Sequence, residues 1–174
     1  VVDLPNGAHR QPEFLALNMF GQVPVIDDAG TIVADSNAIL VYLAQKYGDD
    51  SWLPRAPAAM AEVQRWLSVA AGQIAAGPCA VRLVSLFGVP LDYDRAKTIA
   101  EALFTVMDAH LAGRTFLVGD RPTIADVAGY SYIAHAPEGG VSLAPYPHIQ
   151  AWLARIAALS GFVAMPASQA GLAA

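Results

Sequence analysis

The sequence predicts an α+β chain, a small α/β piece followed by an all-helical domain, and three observations carry that prediction. Two β-rich runs, "VPVID" at 23–27 and "TIVA" at 31–34, flank a short Gly-containing turn, which is a hairpin pattern. From Ser36 the apolar period lengthens: Ile39, Leu40, Leu43 and Tyr47 follow helical spacing until Gly48. A polar stretch with two prolines, "DDSWLPRAP", then separates this piece from a remainder in which every periodic segment is helical. The predicted organisation is residues 1–48, a linker at 49–56, and a helical domain at 57–174.

Taken in order, Val1–Leu4 is β-branched and closed by "PNG", so it reads as a strand ending in a turn. Pro12 opens "PEFLALN", where proline at a first helical position and Glu13 in the first turn predict one or two helical turns. The hairpin and the Ser36 helix follow. In the helical domain, Met60, Val63, Leu67, Ala70 and Ile74 trace one apolar stripe, and Gly77-Pro78 is expected to kink or end that helix. Ile99, Leu103 and Val106 form a second stripe with Gly113 just past it. "RPTIADVAGYSYIA" starts a third helix, "APEGGVSLAPYP" is a loop, and Ile149, Trp152, Leu153, Ile156 and Leu159 make a last helix. A right-handed βαβ unit opens with a strand and helix that this chain does not show, so a segment is expected ahead of Val1.

Composition narrows the function classes. Hydrophobic residues at 55% against 14% charged argue for a folded core rather than disorder. Ten basic against 15 acidic side chains, with no Lys/Arg cluster, argue against a nucleic-acid surface. Cys79 is the single cysteine, so no intramolecular disulfide forms, and a reducing compartment fits. The apolar run Trp66–Val81 is too short and too interrupted to read as a membrane span, which predicts a soluble protein. His110, His135 and His148 have no metal-ligand spacing, and the sequence lacks H-E-x-x-H, G-x-S-x-G and G-x-G-x-x-G.

Two places carry candidate chemistry. Proline removes a ladder donor, so Pro24 between Val23 and Val25 has two readings. Either an edge strand begins there, or a cis Val23-Pro24 bond turns the backbone N–H and C=O of Val23 outward to pair with a peptide-like ligand. Asp35 and Ser36 open the next helix. Its free N–H groups and dipole suit a carboxylate, with the Ser36 hydroxyl as a further donor, although Ser36 can equally be an N-cap. Thr123 and Asp126 form a capping box, which explains folding and carries no catalytic role. Cys79 could be a nucleophile, but it lies in an apolar run with no nearby histidine, the setting of a small buried hydrophobe.

The run "GAHRQPEFLALNMFGQVPVIDDAGTIVADSNAILVYLAQKYG", followed by "GDRPTIADVAGYSYI", resembles the cytosolic glutathione S-transferases of the bacterial, theta-like kind, over essentially the whole chain. The resemblance implies a thioredoxin-like N-terminal domain, here truncated at its start, and an all-α helical-bundle C-terminal domain. It also implies a glutathione site: the backbone of Val23, before a cis Pro24, on the cysteinyl part, and Asp35 and Ser36 on the γ-glutamyl end. His9 stands where theta-like members place a histidine near the glycine carboxylate, and Gln22 where many have lysine or glutamine. Asp35 is one methylene shorter than the family's commoner glutamate or glutamine. Pro78, Cys79 and Arg82 are implied to line the pocket of a small hydrophobic electrophile.

The expected function is therefore a cytoplasmic, homodimeric glutathione transferase with glutathione as co-substrate and no metal, nucleic-acid or membrane partner. The Ser, Cys or Tyr that holds glutathione as its reactive thiolate is expected upstream of Val1. The alternative is a non-catalytic binding or assembly module that keeps the same scaffold.

Overall fold

A computed structural model describes residues 2–168. The chain divides into two compact units, Val1–Leu53 and Pro54–Ala174. The first unit holds α1 (Pro12–Leu15), β1 (Val25–Asp28), β2 (Thr31–Ala34) and α2 (Ser36–Tyr47). The second holds α3 (Pro57–Val69), a π-helical stretch (Ala70–Cys79), α4 (Ala80–Phe87), α5 (Tyr93–Leu111), α6 (Ile124–Ala134) and α7 (Pro147–Ala157).

In the first unit β1 and β2 pair antiparallel, from Val25 with Ala34 to Asp28 with Thr31. The two linking residues, Ala29 and Gly30, have φ of 51° and 87°. Positive φ at both central positions matches the strand twist and costs glycine nothing, and the Gly30 N–H is further held by Asp27 Oδ1 at 2.8 Å. The hairpin lies against α2, and Asp28 at its tip fastens the far end of that helix. Its carboxylate accepts hydrogen bonds from Lys46 Nζ at 2.7 Å, Tyr42 at 2.8 Å and Tyr47 at 2.8 Å. Lys46, with Tyr47 and Tyr42, holds the Asp28 carboxyl down at about 2.

The expected strand at Val1–Leu4 is not formed among the described residues. Residues 2–7 turn instead, the Leu4 N–H donating to Val2 O and the Gly7 N–H to Leu4 O, so these backbone groups are satisfied locally rather than by a ladder. β1 likewise starts at Val25, two residues later than "VPVID" suggested, because the cis Val23-Pro24 bond precedes it.

The second unit is built on one long helix, Pro57–Phe87. Gly77-Pro78 neither ends nor sharply breaks it: the chain passes through as π-helical turns. The helix is long and apolar enough to cross a membrane by length and composition, unlike the shorter run read from sequence. Its apolar side chains are instead spent on protein core: Val63, Trp66, Leu67, Ile74 and Val81 are buried. Gly77 is required there, since a Cβ would sit 2.9 Å from the Ala100 backbone nitrogen and 3.1 Å from its Cα. α5 therefore packs backbone to backbone on the π-helical stretch.

The second stripe is shifted from its expected position. The buried face of α5 is Ala96, Ala100, Leu103, Phe104, Met107 and Leu111, whereas Val106 is 68% exposed. Small Ala96 and Ala100 set that face by allowing close approach, a signal that a search for large apolar residues passes over. Met60 is similarly exposed on the preceding helix.

The starts of α5, α6 and α7 are held by side chains. Asp92 accepts the Arg95 N–H at the start of α5. Asp108 of α5 reaches the start of α7, where its Oδ1 accepts the N–H of His148 at 2.8 Å and of Ile149 at 2.9 Å. At α6, Thr123 and Asp126 form a reciprocal capping box. Asp126, 1% exposed, does more: Oδ2 accepts the Thr123 N–H, while Oδ1 accepts the Leu117 N–H at 2.9 Å and the Trp152 indole N–H at 2.8 Å.

These contacts rank two substitutions. Thr123→Ala removes one cap and is expected to cost about 1 kcal/mol. Asp126→Ala strands buried donors from three segments and is expected to cost at least about 3 kcal/mol. Urea unfolding of the full chain checks both, and equal losses would contradict the ranking. Gly77→Ala is expected to cost about 1–3 kcal/mol by forcing α5 away from the π-helical stretch, read in the same experiment.

Candidate functional site

The first unit contains a cavity of about 420 Å³ whose walls are built by two short segments on either side of the hairpin's open end. One wall is the turn at 18–24. Asn18 is buried and shapes that turn with its side chain: Nδ2 donates to Gln22 O at 2.8 Å, and Oδ1 accepts the Phe20 N–H at 3.1 Å. The Gly21 N–H closes it on Asn18 O. Gln22, Val23 and the cis-linked Pro24 are thereby held at the cavity surface, with Val23 43% exposed.

The other wall is the start of α2. Asp35, rather than Ser36, is the N-cap: its Oδ1 accepts the N–H of Asn37 and of Ala38, each at 2.9 Å. Its backbone sits at φ 80°, a region that non-glycine residues rarely occupy. The cap bonds, together with the Asp35 N–H to Pro24 O at 3.3 Å, hold that conformation and tie the two walls together. The cap employs Oδ1 alone, and Ser36, exposed, stands beside it at the first helical position.

This wall pair has a definite chemical capacity. It offers the exposed residue Val23 ahead of the cis-linked Pro24, one carboxylate for a cation, and a hydroxyl at the positive end of a 12-residue helix for an anion. A ligand with a peptide backbone and both an ammonium and a carboxylate at one end matches all three.

Five residues singled out from sequence, Gln22, Val23, Pro24, Asp35 and Ser36, meet on this cavity. His9 does not line it. It lies in a 3-10 turn (Ala8–Arg10), its carbonyl oxygen lies 3.0 Å from where a Cβ on Gly21 would be, and its buried Nδ1 has no hydrogen-bond partner. Asn18 and Phe20 were not anticipated, although Asn three residues before a glycine is a turn signal.

Pro78, Cys79 and Arg82 are buried in the second unit. Burial pushes the Cys79 thiol up, against the opposing influence of nearby Tyr132 and Arg82. Arg82 Nε donates to Glu138 Oε2 at 2.7 Å. A second cavity, about 510 Å³, lies between the π-helical stretch and α5 and is apolar, with Ala76, Ile99 and Val106 on its walls. None of Pro78, Cys79 and Arg82 lines it. Among the described residues no three His, Cys, Asp or Glu side chains gather into a metal-holding group.

Comparison with known proteins gives the class. Residues 1–46 match the family described as Glutathione S-transferase, N-terminal domain, and residues 85–160 match Glutathione S-transferase, C-terminal domain. Glutathione S-transferase 3 of Zea mays is 38% identical, the alignment covering 92% of this chain and 78% of that protein. GstB of Escherichia coli K12 is 30% identical, over 84% and 74%. A glutathione S-transferase structure from Pseudomonas fluorescens superposes with a TM-score of 0.86 at 32% identity, over 93% and 82%. A glutathione transferase homologue from Drosophila mojavensis, with bound glutathione, gives 0.76 at 30%, over 92% and 75%. The chain belongs to the glutathione S-transferase family.

Asn18 is expected to act on the site through the backbone it holds. Asn18→Ala should cost about 1–2 kcal/mol of stability by stranding the Gln22 carbonyl and the Phe20 N–H. It should also weaken glutathione binding by isothermal calorimetry, and unchanged affinity would separate the turn from the site.

Proposed function

We propose that this chain is a glutathione transferase that binds glutathione on the Val23–Ser36 cavity and passes its thiolate to a small hydrophobic electrophile. The observation that supports this best is the meeting of Val23, before the cis-linked Pro24, with the Asp35-Ser36 helix start on one cavity. Each group then has a task. The Val23 N–H and C=O pair with the cysteinyl main chain as an added strand does, which fixes the sulfur's position without a side chain. Asp35, its Oδ1 committed to the helix cap, offers Oδ2 to the γ-glutamyl ammonium. Ser36 donates its hydroxyl, and α2 its first N–H, to the γ-glutamyl carboxylate. Gln22 stands on the cysteinyl side, and His9, behind Gly21, is assigned to the glycine carboxylate.

Chemistry at the sulfur requires a thiolate, because the thiol is a weak nucleophile at neutral pH. The donor that stabilises it is assigned, from the family resemblance, to a Ser, Cys or Tyr ahead of Val1. Cys79 is not that group: burial raises its pKa, the opposite of an activated nucleophile. Pro78, Cys79 and Arg82 are assigned to the electrophile's side of the reaction. A cytoplasmic homodimer belongs to the same reading.

Ser36→Ala tests the reading directly. Loss of a hydrogen bond to a charged carboxylate is expected to raise the glutathione Kd at least about tenfold. Because Asp35 supplies the cap, the same variant should unfold within about 0.5 kcal/mol of the wild type. Equal affinity in the two proteins would remove Ser36 from the site.

A further inference from the structure

Of the three asparagines in the chain, Asn6 alone is followed by glycine. That pair has a chemistry of its own. Glycine has no side chain to shield its backbone nitrogen, which can therefore close on the side-chain carbonyl of the asparagine before it. The Gly7 nitrogen, its proton given up to water, forms a bond to Asn6 Cγ. The Cγ–Nδ2 bond breaks, Nδ2 leaves as ammonia with a proton taken from water, and a cyclic imide remains. Water then opens the imide at either carbonyl. Opening at Cγ leaves an aspartate; opening at the main-chain carbonyl leaves an isoaspartate, whose main chain is longer by one carbon. Either product puts a carboxylate where a neutral amide stood.

The turn around this pair opposes each step. Asn6 Nδ2, the leaving group, donates to Asp3 Oδ2 at 2.7 Å, which ties the side-chain amide to the residue three positions back. Asp3 Oδ1 accepts the Asn6 N–H at 3.2 Å, so both oxygens of one carboxylate grip one residue. The Gly7 N–H, whose proton must go before attack, is committed to Leu4 O at 3.0 Å. The Ala8 N–H closes the turn on Asp3 O at 2.9 Å. Loss of the Gly7 proton would also create a negative charge one residue from the amide that the Asp3 carboxylate holds. The side-chain bond from Asn6, then its backbone bond, keep the Asp3 carboxyl below its ordinary value, so the grip is ionised at neutral pH. Asn6 is exposed, within reach of the water that the reaction consumes.

We propose that Asn6 is a site of spontaneous covalent modification, through a cyclic imide with Gly7, and that the Asp3 carboxylate is the guard that holds it closed in the folded chain. The consequence falls on the next element. Gly7 is the N-cap of the 3-10 turn Ala8–Arg10, and its carbonyl oxygen accepts the Arg10 N–H at 2.9 Å. An isoaspartate at position 6 inserts a carbon immediately ahead of that turn and sets a second carboxylate against Asp3. In this respect the inference rests on the transferase reading, which assigns His9 of the same turn to the glycine carboxylate. Modification at Asn6 displaces that contact and lowers the affinity for glutathione.

Isoaspartate at residue 6, read by peptide mapping with mass spectrometry after the full chain is held at mildly alkaline pH, tests the guard. Asp3→Ala is expected to accumulate it on the order of tenfold faster than the wild type, the factor for losing hydrogen bonds to a charged group. The wild type unfolded in urea is expected to accumulate it as fast as that variant. Equal rates in the folded wild type and in Asp3→Ala overturn the guard, and absence of isoaspartate from the unfolded chain overturns the site. If Asp3→Ala fails to fold, Asp3→Asn, which keeps an oxygen for the Asn6 amides and loses the charge, decides by the same comparison. The modified chain, separated by its added negative charge, is expected to bind glutathione severalfold more weakly, and equal affinity overturns the link to His9. A wild-type chain without affinity for glutathione sinks the transferase reading while the isoaspartate rates still judge the guard.

Discussion

The carboxylate of Asp126 is the constraint on which the helical unit depends. It is almost wholly buried, and it is tolerated because every hydrogen bond it makes closes a donor that would otherwise be stranded: the start of α6, the loop at Leu117 and the indole of Trp152 on α7. One side chain thus fixes the entry of one helix, the course of the preceding loop and the seat of the next helix. Asp108 repeats the device at smaller scale, capping α7 from α5 across 40 residues of chain. Fully satisfied polar groups of this kind specify a single arrangement among the many that apolar packing alone would allow.

The ligand-facing unit follows a different logic. There, polar side chains shape backbone rather than join helices: Asn18 folds the turn that presents Val23, and Asp35 holds its own strained conformation by capping α2. On the reading proposed above, the groups offered to glutathione are the Val23 main chain, one hydroxyl and one carboxylate oxygen, and their positions are set before the ligand arrives.

Much of this was legible in the residues. The hairpin, the helix opened at Ser36, the capping box and the order of later helices all follow from period and turn chemistry; Val23, Pro24, Asp35 and Ser36 could be named as candidates because proline interrupts a strand and polar oxygens open a helix, whereas Gln22 was named from the family resemblance alone. The misses have physical causes. Val1–Leu4 has strand composition, but composition supplies no ladder partner. α5 buries alanines, so its face was read one position off. Pro78 signalled a break, and tertiary packing around Gly77 kept the helix running by widening it. Asn18 was overlooked because its role lies in backbone groups two and four residues away.

The hairpin of the first unit is fastened to α2 at both ends, by Asp35 at the helix start and by Asp28 on Tyr42, Lys46 and Tyr47 near its end. Those two carboxylates lie seven residues apart in sequence and span a helix of 12 residues, roughly 18 Å in length. Two strands of four residues have little of their own to prevent slippage, and a shift by one would send every side chain to the opposite face. The helix acts as a gauge for the pairing: any shifted alignment loses the cap, the tip anchor or both, so mispaired hairpins are rejected by a helix rather than by neighbouring strands.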